Sequence, residues 1–287
     1  MTSVAMLKKL ISEPGIIVAA GCYDGLSAKL VEKVGFKAAY MTGFGSSGAI
    51  LGKPDYGFVN MFETVTHARN LAGAIKIPLI ADADTGYGNP LNVIRTVQEF
   101  EKAGVAAIHI EDQIFPKRCG HMEGKEVIPM QDHINKIQAA VDSRKELLII
   151  ARTDSRTPLG IEEAIERAIA YYEAGADIVF IDAPQSEEEI YMIADKVEAP
   201  LFLNMVEGGK TPILPASELE KIGFKIVIYP LTALMAATKA MEYALTELCK
   251  TGTTNHILHN LASFQEYNKI VGLEEIIQLE RKYSNMQ

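Results

Sequence analysis

Short runs rich in Val, Ile, Leu and Ala recur along the whole chain: Ile16–Cys22, Ala38–Thr42, Pro78–Asp82, Ala106–Glu111, Leu147–Arg152, Ile178–Asp182, Leu201–Met205 and Ile226–Tyr229. Their apolar residues are continuous rather than alternating with polar ones, the pattern of parallel strands covered on both faces. Between the runs, apolar residues fall at helical spacing over Leu26–Val34, Glu63–Ala74, Leu91–Ala103, His133–Val141, Ile161–Ala174, Glu187–Lys196 and Ala216–Ile222. Four of these segments close on a glycine, Gly35, Gly104, Gly175 or Gly223, just before the next run. Glycine there ends a helix in the left-handed conformation at little steric cost.

Eight successive strand–helix units without a linker predict a single α/β domain over residues 1–287, a closed (β/α)8 TIM-type barrel. A doubly wound open sheet is the alternative reading of the same pattern. Beyond the eighth run the chain continues from Thr232 to Gln287 with helical composition, more than one closing helix requires. Met235, Met241, Leu245 and Leu248 give this C-terminal helical extension an apolar face, suited to capping the barrel or packing on a neighbouring subunit.

Composition then removes whole classes of function. With 28 Lys+Arg against 37 Asp+Glu the net charge is −9, and no basic stripe is available to displace counterions from a nucleic acid. No run approaches the roughly 18 apolar residues of a membrane helix. Glu13 and Pro14 interrupt the one stretch, Lys8 to Cys22, with a superficial likeness to a lipoprotein signal. Cysteines at 22, 119 and 249 predict no disulfide framework. The expectation is a cytoplasmic protein acting on a small molecule, without nucleic acid or membrane as partner. No GxGxxG opens a helix, no GxxxxGK[ST] is present, and no CxxC or HxxxH spacing suggests zinc.

In a barrel of this kind the chemistry gathers where strands end. The third run ends Asp82-Ala83-Asp84-Thr85-Gly86, paired carboxylates suited to a hard cation such as Mg2+. A carboxylate inside an apolar strand, like Asp82, almost always has a partner. The fourth ends Glu111-Asp112-Gln113, and Glu111 could share the metal. The fifth ends Arg152-Thr153-Asp154, where Arg152 offers a bidentate clamp for a carboxylate; an Arg–Asp pair bracing the rim is the plainer reading. Asp182 and Asn204 end the sixth and seventh. In the loop after the fourth run, Cys119 is flanked by Lys117, Arg118 and His121, a setting that makes a thiol usable as acid or base. Cys22 and Cys249 read as small buried hydrophobes, and His67, His133, His256 and His259 as surface or packing residues. Anionic clamps beside a metal cluster point to a small polycarboxylate.

These marks, Asp82-Ala83-Asp84-Thr85-Gly86, Ile110-Glu111-Asp112-Gln113, Lys117-Arg118-Cys119-Gly120-His121 and Asn204-Met205-Val206-Glu207-Gly208-Gly209-Lys210-Thr211-Pro212, resemble the isocitrate lyase / phosphoenolpyruvate mutase superfamily, and the likeness covers nearly the whole chain. The resemblance implies a barrel whose eighth helix is swapped between subunits of a homotetramer, a dimer of dimers. It implies Mg2+, with Mn2+ as a substitute, held directly by Asp82 and through water by Asp55, Asp84 and Glu111. Thr42, Gly43, Phe44, Asp82, Gly120, Arg152 and Asn204 are the implied substrate-binding positions. Lys117, Cys119, Gly120 and His121 belong to an implied mobile loop, and Cys119, Lys117, His121, Glu111 and Arg152 form the implied catalytic set. The Cys-containing loop resembles that of carbon–carbon lyases acting on substituted malates of the 2,3-dimethylmalate or 2-methylisocitrate type. Pro230 stands where oxaloacetate hydrolases carry Ser, and Asp182 where most relatives carry Glu. A carboxyphosphonoenolpyruvate-type phosphonomutase, an oxaloacetate hydrolase or decarboxylase, and a non-catalytic metabolite-binding barrel are the alternatives.

Overall fold

The computed structural model describes residues 1–120, 122 and 124–284. The eight expected strands form: β1 (Ile17–Cys22), β2 (Ala38–Met41), β3 (Leu79–Asp82), β4 (Ala107–Glu111), β5 (Leu148–Thr153), β6 (Ile178–Ile181), β7 (Leu201–Asn204) and β8 (Phe224–Tyr229). All neighbours pair in parallel and β1 also pairs with β8, closing the barrel in chain order. The open-sheet alternative is thereby excluded.

Helices α1 (Ser3–Ser12), α2 (Gly25–Val34), α3 (Gly43–Leu51), α4 (Met61–Ala74), α5 (Pro90–Lys102), α6 (Met130–Ser143), α7 (Arg156–Leu159), α8 (Ile161–Glu173), α9 (Glu187–Lys196) and α10 (Ala216–Ile222) accompany the strands. The four expected helix-ending glycines all have positive φ, between 86° at Gly104 and 106° at Gly35 and Gly223. Sequence periodicity missed α1, α3 and α7, and it began β8 two residues late. In α3 the cause is composition: Gly43-Phe44-Gly45-Ser46-Ser47-Gly48 is poor in helix formers. That helix is started by its cap, the Thr42 hydroxyl accepting the Gly45 N–H at 3.3 Å.

Alternate strand residues point inward. Ile17, Ala19, Tyr40, Ile80, Leu148, Ile150, Ile178, Phe180, Phe202, Ile226 and Ile228 form one buried interior cluster, which Leu7 of α1 joins. The intervening residues pack outward against the helices. Carried to the C-terminal ends of the strands, the inward parity reaches Asp82, Glu111, Arg152, Asp182 and Asn204. Chain pairing sets Asp82 opposite His109 and Glu111 opposite Arg152. The polar floor of the mouth is thus the next layer above an aromatic and aliphatic plug.

The chain divides into two compact units, Met1–Thr232 with the barrel and Ala233–Gln287. The second contains most of α11 (Thr232–Thr251), a 3-10 turn (Asn255–Asn260), α12 (Phe264–Val271) and α13 (Leu273–Ser284). No residue of α11, α12 or α13 is buried. Among the described residues no helix is long and apolar enough to cross a membrane.

Candidate active site

Asp82 ends β3, and its Oδ1 accepts the N–H of Asp84 at 2.9 Å. That turn gives Asp84 a left-handed φ of 47°, a conformation Asp tolerates better than most residues. Asp84 Oδ1 lies 2.7 Å from Lys117 Nζ, which also stands 2.7 Å from Asp55 Oδ1. All four groups are buried. Burial opposes the charge on Lys117, yet Asp84, Asp55, Asp82 and Glu111 outweigh it and hold the ammonium well above the usual lysine range. Burial pushes Asp84 up to about 6, with Lys117 opposing and Asp82 and Asp55 adding to the rise.

Glu111 is wholly buried, and neither of its carboxylate oxygens accepts a hydrogen bond. Arg152 Nε lies 3.3 Å from Oε2. Asp55, Asp82, Asp84 and Glu111 against the Lys117 ammonium and an Arg152 guanidinium already shared with Asp154 and Asp182 leave surplus negative charge, and Glu111 has acceptor capacity unused. This donor set fits a hydrated Mg2+-type cation, which takes one or two carboxylates directly and keeps several waters. Among the described residues no group of three or more His, Cys, Asp or Glu side chains forms a direct metal cage.

Arg152 is built from behind. Its Nε donates to Asp154 Oδ2 at 2.8 Å and its Nη2 to Asp154 Oδ1 at 3.1 Å. Nη2 also lies 3.2 Å from Asp182 Oδ2, and the guanidinium sits over the Phe180 ring, 5.0 Å from its centroid. The rim-bracing pair with Asp154 thus forms, and the same guanidinium is shared with Asp182 and Glu111. Asn204 Nδ2 donates to Asp182 Oδ1 at 3.2 Å.

Two inward residues that sequence reading passed over complete the floor. Tyr40 OH lies 2.7 Å from His109 Nε2, and that nitrogen 3.6 Å from Asp82 Oδ1. Burial, aided by Arg152 and Lys117, pushes His109 down to about 4 against the pull of Asp82, so its imidazole is neutral at pH 7. Their signal was strand parity, since Tyr40 and His109 share the inward set with Asp82 and Arg152.

At the opposite wall Thr42, Gly43 and Phe44 open α3, whose first-turn N–H groups suit a carboxylate. A Cβ on Gly43 would collide with Asp82 Oδ2. The loop after β4 is tied at its base by bonds from Ile114 N–H to Glu126 O and from Ile128 N–H to Asp112 O, both 2.9 Å. The Gln113 side chain both donates to and accepts from the Arg118 backbone. The two cations beside Cys119 also have partners on the barrel. Lys117 faces Asp55 and Asp84, and Arg118 lies over Tyr56, 5.6 Å from the ring centroid.

Cys119 nevertheless lines one cavity with Thr42, Phe44, Asp82, Arg152 and Asn204, and Asp55, Lys117 and Gly120 share it. Gly43 and Asp84 line a smaller space beside it with Asp55 and Asp82. Glu111 lies under Arg152 and lines neither, while His121 is outside the described residues. The cavity volume is about 40 Å³, space for a few waters. Pro230 forms part of its wall, and its backbone leaves no room for a Cβ on Gly21 of β1.

The phosphoenolpyruvate phosphomutase family model matches residues 7–249. The chain is 46% identical over 286 residues to 2,3-dimethylmalate lyase of Eubacterium barkeri, covering 99% of both chains. It is 44% identical over 270 residues to 2-methylisocitrate lyase of Aeropyrum pernix, covering 94% of this chain and 87% of that one. A crystal structure of 2,3-dimethylmalate lyase superposes with a TM-score of 0.94 at 37% identity over 99% of this chain and 96% of that one. Fold, strand-end carboxylates and these matches agree: the chain belongs to the phosphoenolpyruvate mutase/isocitrate lyase superfamily.

Proposed function

We propose that this protein is a Mg2+-dependent carbon–carbon lyase that cleaves a substituted malate, of the 2,3-dimethylmalate or 2-methylisocitrate type, to pyruvate and a carboxylic acid. The observation that carries the reading is that Cys119 lines the same cavity as Asp82, Arg152 and Asn204. An acid, an acidic metal-type cluster and carboxylate-binding groups thereby face one space. The named activities of the two lyase relatives point the same way.

Asp82 would hold Mg2+ directly and Asp55, Asp84 and Glu111 through water, and the bound ion would supply polarisation of the 2-hydroxyl and its carboxylate. The first turn of α3 from Thr42 to Phe44 and the Asn204 amide orient the 2-hydroxy-acid end. A base of the acidic cluster takes the hydroxyl proton. The C2–C3 bond breaks, C2 becomes the carbonyl of pyruvate, and the electron pair passes to the departing acid as an enediolate. Arg152 balances that charge. The Cys119 thiol gives its proton to C3, completing the acid, and the thiolate is reprotonated afterwards. Lys117, Gly120 and His121 belong to the loop that excludes water while the carbanion exists.

Residues 232–287 supply the closing helix and the C-terminal extension, swapped between subunits of a cytoplasmic homotetramer. Support comes from α11, where Met235, Met241, Leu245 and Leu248 are all exposed.

The test is pyruvate release from dimethylmalate, methylisocitrate, isocitrate and oxaloacetate with Mg2+. Cleavage of a substituted malate is expected. Oxalate from oxaloacetate alone, or a phosphorus NMR signal of rearranged phosphonate with no pyruvate, would replace this reading with a hydrolase or a phosphonomutase.

A further inference from the structure

Lys125 is a buried lysine that lines neither the active-site cavity nor the acidic space beside it. Its Nζ donates to Asp154 Oδ1 at 2.8 Å and lies 3.7 Å from Asp182 Oδ2. The same Asp154 oxygen accepts from Arg152 Nη2. One carboxylate therefore joins a lysine of the Cys119 loop to the guanidinium that faces the cavity.

Asp154 has little freedom to swing. Its N–H donates to Asp112 Oδ1 at 2.9 Å, and Asp112 Oδ2 accepts from Thr153 Oγ1, Tyr171 OH and Arg167 Nη1 at 2.7, 2.9 and 3.0 Å. On the loop side, Lys125 directly precedes the backbone-paired base at Glu126, so its side chain anchors the segment that carries Cys119 next to that base. The loop meets the same cluster again at Gly120, where a Cβ would collide with Asp182 Oδ2 and stand 2.7 Å from Arg152 Nη2. Among the described ion pairs, loss of the Lys125 charge would leave Arg152 alone to balance Asp154 and Asp182, and the guanidinium would be drawn away from its present direction.

We propose that Lys125 is a positioning residue: through Asp154 it couples seating of the Cys119 loop to the aim of Arg152, so that closing the site and presenting the clamp are one event. The proposal rests on the roles given above to Cys119 and Arg152.

The test measures iodoacetamide alkylation of Cys119 in the full chain carrying Cys249→Ser, without substrate, with the modified residue located by mass spectrometry. Lys125→Met is expected to raise the Cys119 rate about tenfold, the signature of local opening. It should also raise KM for the cleaved acid more than it lowers kcat, while Lys125→Arg restores both. Asp154→Asn should match Lys125→Met, and the double variant should go no further, because both remove one strut. A rate within about twofold of the parent in a folded Lys125→Met protein, or multiplicative effects in the double variant, overturns the proposal. Should Lys125→Met not fold, Lys125→Gln is judged by the same criteria. The thiol is read without substrate, so it decides on the strut even where no substituted malate is cleaved.

Discussion

Gly43 at the first turn of α3 lies so close to Asp82 Oδ2 that no side chain fits between them. The glycine is needed for space: its φ is not in the left-handed region, so backbone conformation makes no demand there. Gly43→Ala should leave the fold intact and displace the Asp82 carboxylate, lowering pyruvate release by about 10²-fold, the cost of misplacing a reacting group by about an ångström. Near-parental activity with an unchanged Mg2+ requirement would show that Asp82 tolerates the shift.

Cys119→Ala and Cys119→Ser should still bind pyruvate and Mg2+ while turnover falls by about 10² or more. Calorimetric titration with pyruvate and steady-state assay on the cleaved acid separate the two effects. Turnover close to the parent would remove Cys119 from the proton-transfer role.

Chelation should abolish activity, and added Mg2+ or Mn2+ should restore it. In Asp82→Ala, activity should no longer rise along a Mg2+ titration, whereas Glu111→Gln, altering a group proposed to reach the ion through water, should shift the titration to higher Mg2+. The same midpoint in Glu111→Gln and the parent would take Glu111 out of the metal set.

His133 provides a pH signature independent of the site. Burial, reinforced by Lys136 and Arg167, lowers its pKa from 6.5 to about 3, and the ring lies edge-on to Tyr171 at 4.6 Å. Between those pH values the unfolded chain binds a proton that the folded one does not. This contribution to stability is therefore complete above about pH 6.5 and falls as pH drops towards about 3, by up to about 1.4 kcal/mol per unit. Denaturant unfolding at pH 7.5 and 5.0 should show about 2 kcal/mol less acid loss in His133→Gln than in the parent. Equal losses would mean that His133 is already protonated in the fold.

The barrel was legible because each strand is short, apolar and followed by a segment of helical period, so local pattern and closed topology agree. The ends of β3, β4 and β5 were legible for a related reason, since a charged residue stands out at the edge of an apolar run. Three kinds of feature were not. Helix α3 was hidden by its glycines and serines, since a side-chain cap rather than propensity starts it. Tyr40 and His109 were hidden inside their strands, where only the parity shared with Asp82 and Arg152 marks them as inward. The partners of the loop cations were hidden because adjacency in sequence is no guide to where a lysine points. Lys117 reaches Asp55 and Asp84, and Arg118 reaches Tyr56, contacts that exist only once the loop is folded over the barrel.

Leu7 of α1 and the Phe180–Phe202 layer fill the barrel interior below Arg152. With the described barrel interior packed beneath the site, the proposed cleavage would take in its substrate and release both products at the same mouth. The fragment seated deeper would then have to wait for the shallower one, and product release rather than bond cleavage would set the ceiling on turnover.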